Sequence, residues 1–145
     1  MLDYETIMTI RSYLSDMQEY LDEAAILEKS GHVRGAVASL YYAAFSITTA
    51  ALYTLNIVRG KHSGVEGAVS QFLVKPGLLE EEYHAIFVNL QKGRMAAHYA
   101  TQMKLKGETP LAEEEMPRLL REGERYIERM KQFLIERGVD KSDFT

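Results

Sequence analysis

The sequence predicts an all-α fold, a bundle of five antiparallel helical elements. Three observations carry that expectation. Apolar residues recur at steps of three and four through the long segments, the period of a helix with one buried face. Capping residues and Gly or Pro punctuate those segments at helix-like intervals. No stretch between them resembles a β-branched strand pair, and no internal repeat is visible.

The first segment, about residues 4–28, places Ile7, Ile10, Leu14, Met17, Leu21 and Ala24 on one face. Asp3 is positioned to cap its start, and Ser30-Gly31 supplies a residue suited to a left-handed C-terminal turn. The second, about residues 32–56, is apolar on several faces and rich in alanine, which predicts the hub of the bundle. No charged residue occurs from Gly35 to Val58, a length that would cross a bilayer. Seryl, threonyl and tyrosyl side chains interrupt the run, so it is expected to be buried by neighbouring helices rather than by lipid.

Ser63 and Glu66 have the S-x-x-E spacing of a capping box, which predicts a short third helix through Val65, Val69 and Phe72, ended by Lys75-Pro76-Gly77. The fourth helix is expected over about residues 79–99, with Tyr83, Ile86, Leu90 and Ala97 on its apolar face. After a polar loop around residues 104–109, Pro110 or Pro117 marks the first turn of the fifth helix. Its stripe is Met116, Leu120, Tyr126, Ile127, Met130 and Leu134, and Gly138 ends it. One helical domain is expected over residues 1–138, followed by a short tail over 139–145 that should fray.

The chain has 145 residues, 46% of them hydrophobic, enough for one domain with a real core. It contains no cysteine, which leaves no disulfide framework or thiol nucleophile and fits a reducing interior. Its start, MLDYETIM, has no basic and apolar leader, so a cytoplasmic location is expected. The net charge of −4 is unlike that of a typical nucleic-acid binder, yet residues 59–106 hold seven Lys or Arg against four Asp or Glu. The flanking segments are acidic.

Within that less acidic third stands RMAAHYA, residues 94–100. Positions i and i+4 on a helix lie roughly 40° apart, so Arg94 and His98 would share one face. A guanidinium holds a phosphate in two-point contact, and an imidazole exchanges protons near neutral pH. The spacing permits phosphodiester chemistry, and it is equally the spacing of a helix's polar edge. GKHSG lacks the spacing of a phosphate-binding loop, though Lys61 and His62 would still meet an anion there. The histidines, His32, His62, His84 and His98, form no H-E-x-x-H pattern, and neither a metal nor a cofactor is expected. Tyr41, Tyr42 and Phe45 would stack bases, or fill a core or dimer contact.

GAVASLYYAAFSITTAAL resembles the signature second helix of HEPN-domain proteins. KHSGV is similar to the turn before the third helix of that family, and RMAAHY is similar to the Arg-x-x-Ala-Asp-Tyr ending of the fourth helix in a small prokaryotic HEPN branch. The likeness spans about residues 5–137. It implies a homodimeric helical bundle and, in many members, a metal-independent endoribonuclease that is often a toxin beside a nucleotidyltransferase antitoxin. Carried over, Arg94 and His98 would be the catalytic pair, with Lys92, Lys61, His62 and Tyr99 contacting nucleotide or RNA. The gap from Arg94 to His98 is three residues where the nuclease motif has four to six, and His98 stands where the branch has Asp. The alternative is a non-catalytic module of the same fold, binding RNA, a nucleotide or a partner protein without a membrane. Both readings predict a homodimer with the fourth helix near the two-fold axis.

Overall fold

The computed structural model describes residues 2–144. α1 (Tyr4–Lys29) starts where Asp3 Oδ1 accepts from the Thr6 amide at 2.8 Å, and it ends at Gly31, whose φ is +82°. α2 (Val33–Tyr53) packs against α1, α4 and α5 and touches α3, which makes it the hub. Its apolar character is thereby explained, because 83% of its most apolar window is buried inside the bundle. The polar groups of α2 are absorbed locally. Thr48 and Thr49 donate to the carbonyls of Ala44 and Phe45 one turn back, and Ser39 donates to Glu23 of α1.

Two glycines set how closely the helices approach. A methyl group on Gly93 of α4 (Glu81–Leu105) would lie 2.7 Å from Val37 and 2.8 Å from Leu119. On Gly123 of α5 (Met116–Glu136) it would lie 2.9 Å from Leu40 Cγ and 3.1 Å from Leu90. All four distances are shorter than ordinary carbon contact, so α2, α4 and α5 meet through positions with no side chain. Tyr126 of α5 reaches into the same core, its hydroxyl 2.6 Å from Thr48 Oγ1.

Several boundaries differ from the sequence expectation. The Ser63–Glu66 capping box does not open the third helix: α3 (His62–Ala68) begins one residue before Ser63, with Lys61 extended at its start and no side-chain cap. His62 is bonded to Tyr41 of α2, and this anchor fixes where the turn begins. α3 runs on through a π-helical turn, Val69–Val74, which Gly77 closes at φ +86°. α4 continues past Tyr99 to Leu105, since no glycine or proline intervenes before Gly107. Tyr99 itself leaves helical geometry at φ −129°, ψ 18°. Nearby, Arg34 of α2 donates to the Ala97 carbonyl at 3.1 Å. Pro117, not Pro110, stands in the first turn of α5, and the three glutamates before it form a 3-10 turn. The tail is not frayed over the described residues. Lys141–Phe144 make a 3-10 turn, Arg11 pairs with Asp143 at 3.0 Å, and Phe144 packs against the core.

Candidate active site

A column of stacked aromatic rings crosses the bundle. Tyr126 of α5 stacks on Phe87 of α4 with centroids 5.4 Å apart, and Phe87 stacks on Tyr41 of α2 at 5.7 Å. Arg94 lies at the Tyr41 end of this column. Its guanidinium carbon is 5.4 Å from the Tyr41 ring centroid and 5.8 Å from that of Tyr42, so two rings flank one cation. Nε donates to Gln91 Oε1 at 3.0 Å, one helical turn earlier, and Nη1 approaches the Tyr42 hydroxyl at 3.4 Å. Nη2 lies 3.4 Å from the Met95 sulfur. Arg94 is only 8% exposed, yet among the described residues its side chain forms no ion pair with a carboxylate. A guanidinium taken out of water normally finds an anionic partner.

His62 joins the same cluster from α3. Its Nδ1 is 2.7 Å from the Tyr41 hydroxyl, and its ring centroid is 4.6 Å from that of Phe45. Burial lowers the His62 pKa, and the positive charge of Arg94 lowers it further, so the imidazole is neutral at pH 7. Burial raises the Tyr41 pKa, an effect the guanidinium opposes and Glu66 and Tyr42 reinforce, so its phenol keeps its proton. The arrangement therefore offers a fixed positive charge, a neutral imidazole and a hydroxyl on one aromatic floor.

The other residues expected at a site lie further out. His98 is exposed, its ring edge-on to Tyr99 at 6.1 Å, whereas Arg94 turns inward. Tyr99 is 40% exposed at the kink of α4. Lys92 is exposed on α4 and Lys61 at the start of α3. Of the expected set, Arg94 and His62 are thus brought together, and His98 with Tyr99 forms a second, solvent-facing pair. Sequence reasoning missed Gln91 and the Tyr41 hydroxyl as partners. The first was legible as an i, i+3 neighbour of Arg94, but nothing along the chain joins Tyr41 to His62. Among the described residues, no three His, Asp or Glu side chains gather as a metal site would require.

The model of the HEPN domain matches residues 10–134, a stretch that holds every residue of this cluster. The chain belongs to the HEPN-domain family. It is 32% identical over 127 residues to the protein named "Putative toxin MJ0605" of Methanocaldococcus jannaschii, covering 88% of this chain and 90% of the relative. It is 30% identical over 91 residues to a "UPF0332 protein" of Thermotoga maritima, covering 63% of this chain and 69% of that one. A second Methanocaldococcus jannaschii relative, "Putative toxin MJ0142", is 25% identical over 134 residues, 92% of this chain and 87% of its own. The five-helix bundle and the HEPN fold coincide.

Proposed function

We propose that this HEPN protein is a toxin-type endoribonuclease that acts as a homodimer and is held in check by a nucleotidyltransferase antitoxin. The observation that carries the reading is Arg94, a buried guanidinium with no carboxylate partner among the described residues, aligned on two tyrosine rings beside a neutral histidine. A phosphodiester of RNA supplies the missing negative charge, and the guanidinium offsets the further charge that grows on phosphorus during cleavage. His98, one turn along α4 and open to solvent, exchanges a proton with the ribose 2′-hydroxyl or the leaving 5′-oxygen. Lys92, Lys61 and Tyr99, all exposed, contact the flanking chain through charge and stacking. The names carried by the two Methanocaldococcus jannaschii relatives support the toxin assignment.

Dimerisation is supported by the surface beside the site. Leu105 is 82% exposed and Tyr99 40%, on the C-terminal half of the helix that carries Arg94 and His98. A two-fold axis, the commonest closed symmetry of soluble homo-oligomers, would cover these side chains and bring two copies of Arg94 and His98 to one cleft.

A second reading is a module that binds RNA or a nucleotide without cutting it. It is favoured by one observation, that Arg94 is buried while His98 is exposed. Growth separates the readings. Induction in a bacterial host arrests growth if the protein is the nuclease, and Arg94→Ala or His98→Ala relieves the arrest. Unchanged growth, with the protein folded and abundant, points to the module.

A further inference from the structure

We propose that His62 of α3 is the proton acceptor of this site, working with Arg94 on one phosphodiester while His98 returns a proton from the solvent side. The inference rests on the nuclease reading and assigns the acid–base roles within it. Three features of the geometry single out His62. Its Nδ1 is engaged by the Tyr41 hydroxyl at 2.7 Å, which fixes the ring and leaves Nε2 as the atom free to meet a ligand. When Nδ1–H donates to the Tyr41 oxygen, Nε2 carries the open lone pair. The ring is also wedged at a tilt between aromatics, 4.6 Å from Phe45 and 5.6 Å from Tyr41, while remaining partly exposed. Lastly, it packs against the same Tyr41 and Tyr42 rings that flank the Arg94 guanidinium, which puts imidazole and guanidinium in one cluster.

His98 has no comparable orientation, because only Tyr99 touches its ring among the ring contacts of the described residues. The charged and titratable groups around His62 come from three helices. Tyr41 and Tyr42 face it from α2 and Arg94 from α4, while Glu66 lies one turn on in α3 and Lys61 precedes it. Arg94 disfavours the imidazolium as long as the site is empty. A phosphodiester between the two cancels that repulsion, so His62 gains basicity when substrate binds.

The step then balances without a further reactant. The 2′-hydroxyl proton passes to His62 Nε2 as the 2′-oxygen forms its bond to phosphorus. The bond from phosphorus to the 5′-oxygen breaks, and that oxygen takes a proton from the His98 imidazolium. The products are a 2′,3′-cyclic phosphate and a 5′-hydroxyl. A neutral base and a protonated acid are required together, which gives a bell-shaped pH profile.

The test is cleavage of single-stranded RNA in EDTA from pH 5 to 9 by the parent, His62→Ala, His62→Gln and His98→Ala. His62→Ala is expected to cut roughly 100-fold to 10,000-fold more slowly, with the rise at the acid side of the profile abolished, and added imidazole is expected to restore part of the rate. His62→Gln keeps a side chain to pack on Phe45, so equal loss in a variant that melts like the parent excludes a folding defect. If both His62 variants cut like the parent, or lose activity without imidazole rescue and with the acid limb intact, His62 is structural and the assignment is overturned. A parent that cuts no RNA overturns the nuclease reading itself, and this assignment with it.

Discussion

Replacing Arg94 by methionine separates what this side chain does for the fold from what it does for a ligand. Methionine keeps most of the aliphatic stem that packs beside Tyr41 and Tyr42, and removes the charge. The variant loses the 3.0 Å bond to Gln91, worth about 1.5–3 kcal/mol for a charged donor. It also loses two cation–ring contacts worth about 0.5–1 kcal/mol each, whereas the 3.4 Å approach to Tyr42 adds little. Against these stands the cost of holding an 8% exposed guanidinium away from water without a carboxylate, on the order of several kcal/mol. The terms nearly cancel, so Arg94→Met should unfold in urea within about 1 kcal/mol of the parent. A loss above about 3 kcal/mol would mean that the guanidinium is part of the fold's own scaffolding, and the case for a ligand-directed arginine would fall.

The remaining predictions bear on packing and titration. Gly123→Ala forces a methyl group against Leu40 and Leu90, both fully enclosed. Overpacking of about 1–3 kcal/mol outweighs the roughly 1 kcal/mol gain in helix propensity, so the melting temperature should drop by a few degrees in calorimetry. Tyr126→Phe removes the buried hydroxyl that meets Thr48, but Thr48 keeps its bond to Ala44, so urea titration should find a loss of about 1 kcal/mol and no more. His62 has a lowered pKa in the folded chain, so below the ordinary histidine value the unfolded chain binds more protons than the folded one. Its contribution to stability is present above about pH 6.5 and is lost as pH falls toward the lowered value. Denaturation of the parent and of His62→Gln across pH 5–7 should therefore differ in slope, with the variant flatter.

Much of the fold is legible along the chain because it is written within single helices. Asp3, Ser30-Gly31 and the stripe from Ile10 to Ala24 fix α1 through contacts no more than a few turns apart. The uncharged, alanine-rich run of α2, apolar on several faces, announces a helix enclosed by neighbours, as its place against α1, α4 and α5 requires. The apolar stripe of α5 is equally local. Tertiary contacts override such signals elsewhere. The S-x-x-E pattern at Ser63 is genuine chemistry, but the bond between His62 and Tyr41 wins and starts α3 earlier. α4 outruns its expected end because no glycine or proline intervenes before Gly107, and the non-helical geometry at Tyr99 does not stop it.

The candidate site divides along the same line. Arg94 stands out by its type and neighbours, and Gln91 is reachable by counting back one turn. His98 attracts notice because it is four residues from Arg94, yet helical spacing specifies only a shared face. It does not say that one side chain folds in over Tyr41 while the other stays in water. His62 is 32 residues from Arg94 on another helix, and only the packing of α3 beside α2 and α4 brings them together.

The most direct test of the central claim is a cleavage assay on single-stranded RNA in EDTA, with the parent and Arg94→Met side by side and the product ends identified. The parent should leave 2′,3′-cyclic phosphate and 5′-hydroxyl ends. Arg94→Met, folded to the same extent, should cut at least about 100-fold more slowly. RNA left intact by the parent, or cut equally well by Arg94→Met, would contradict the claim that this buried arginine is held for a phosphodiester.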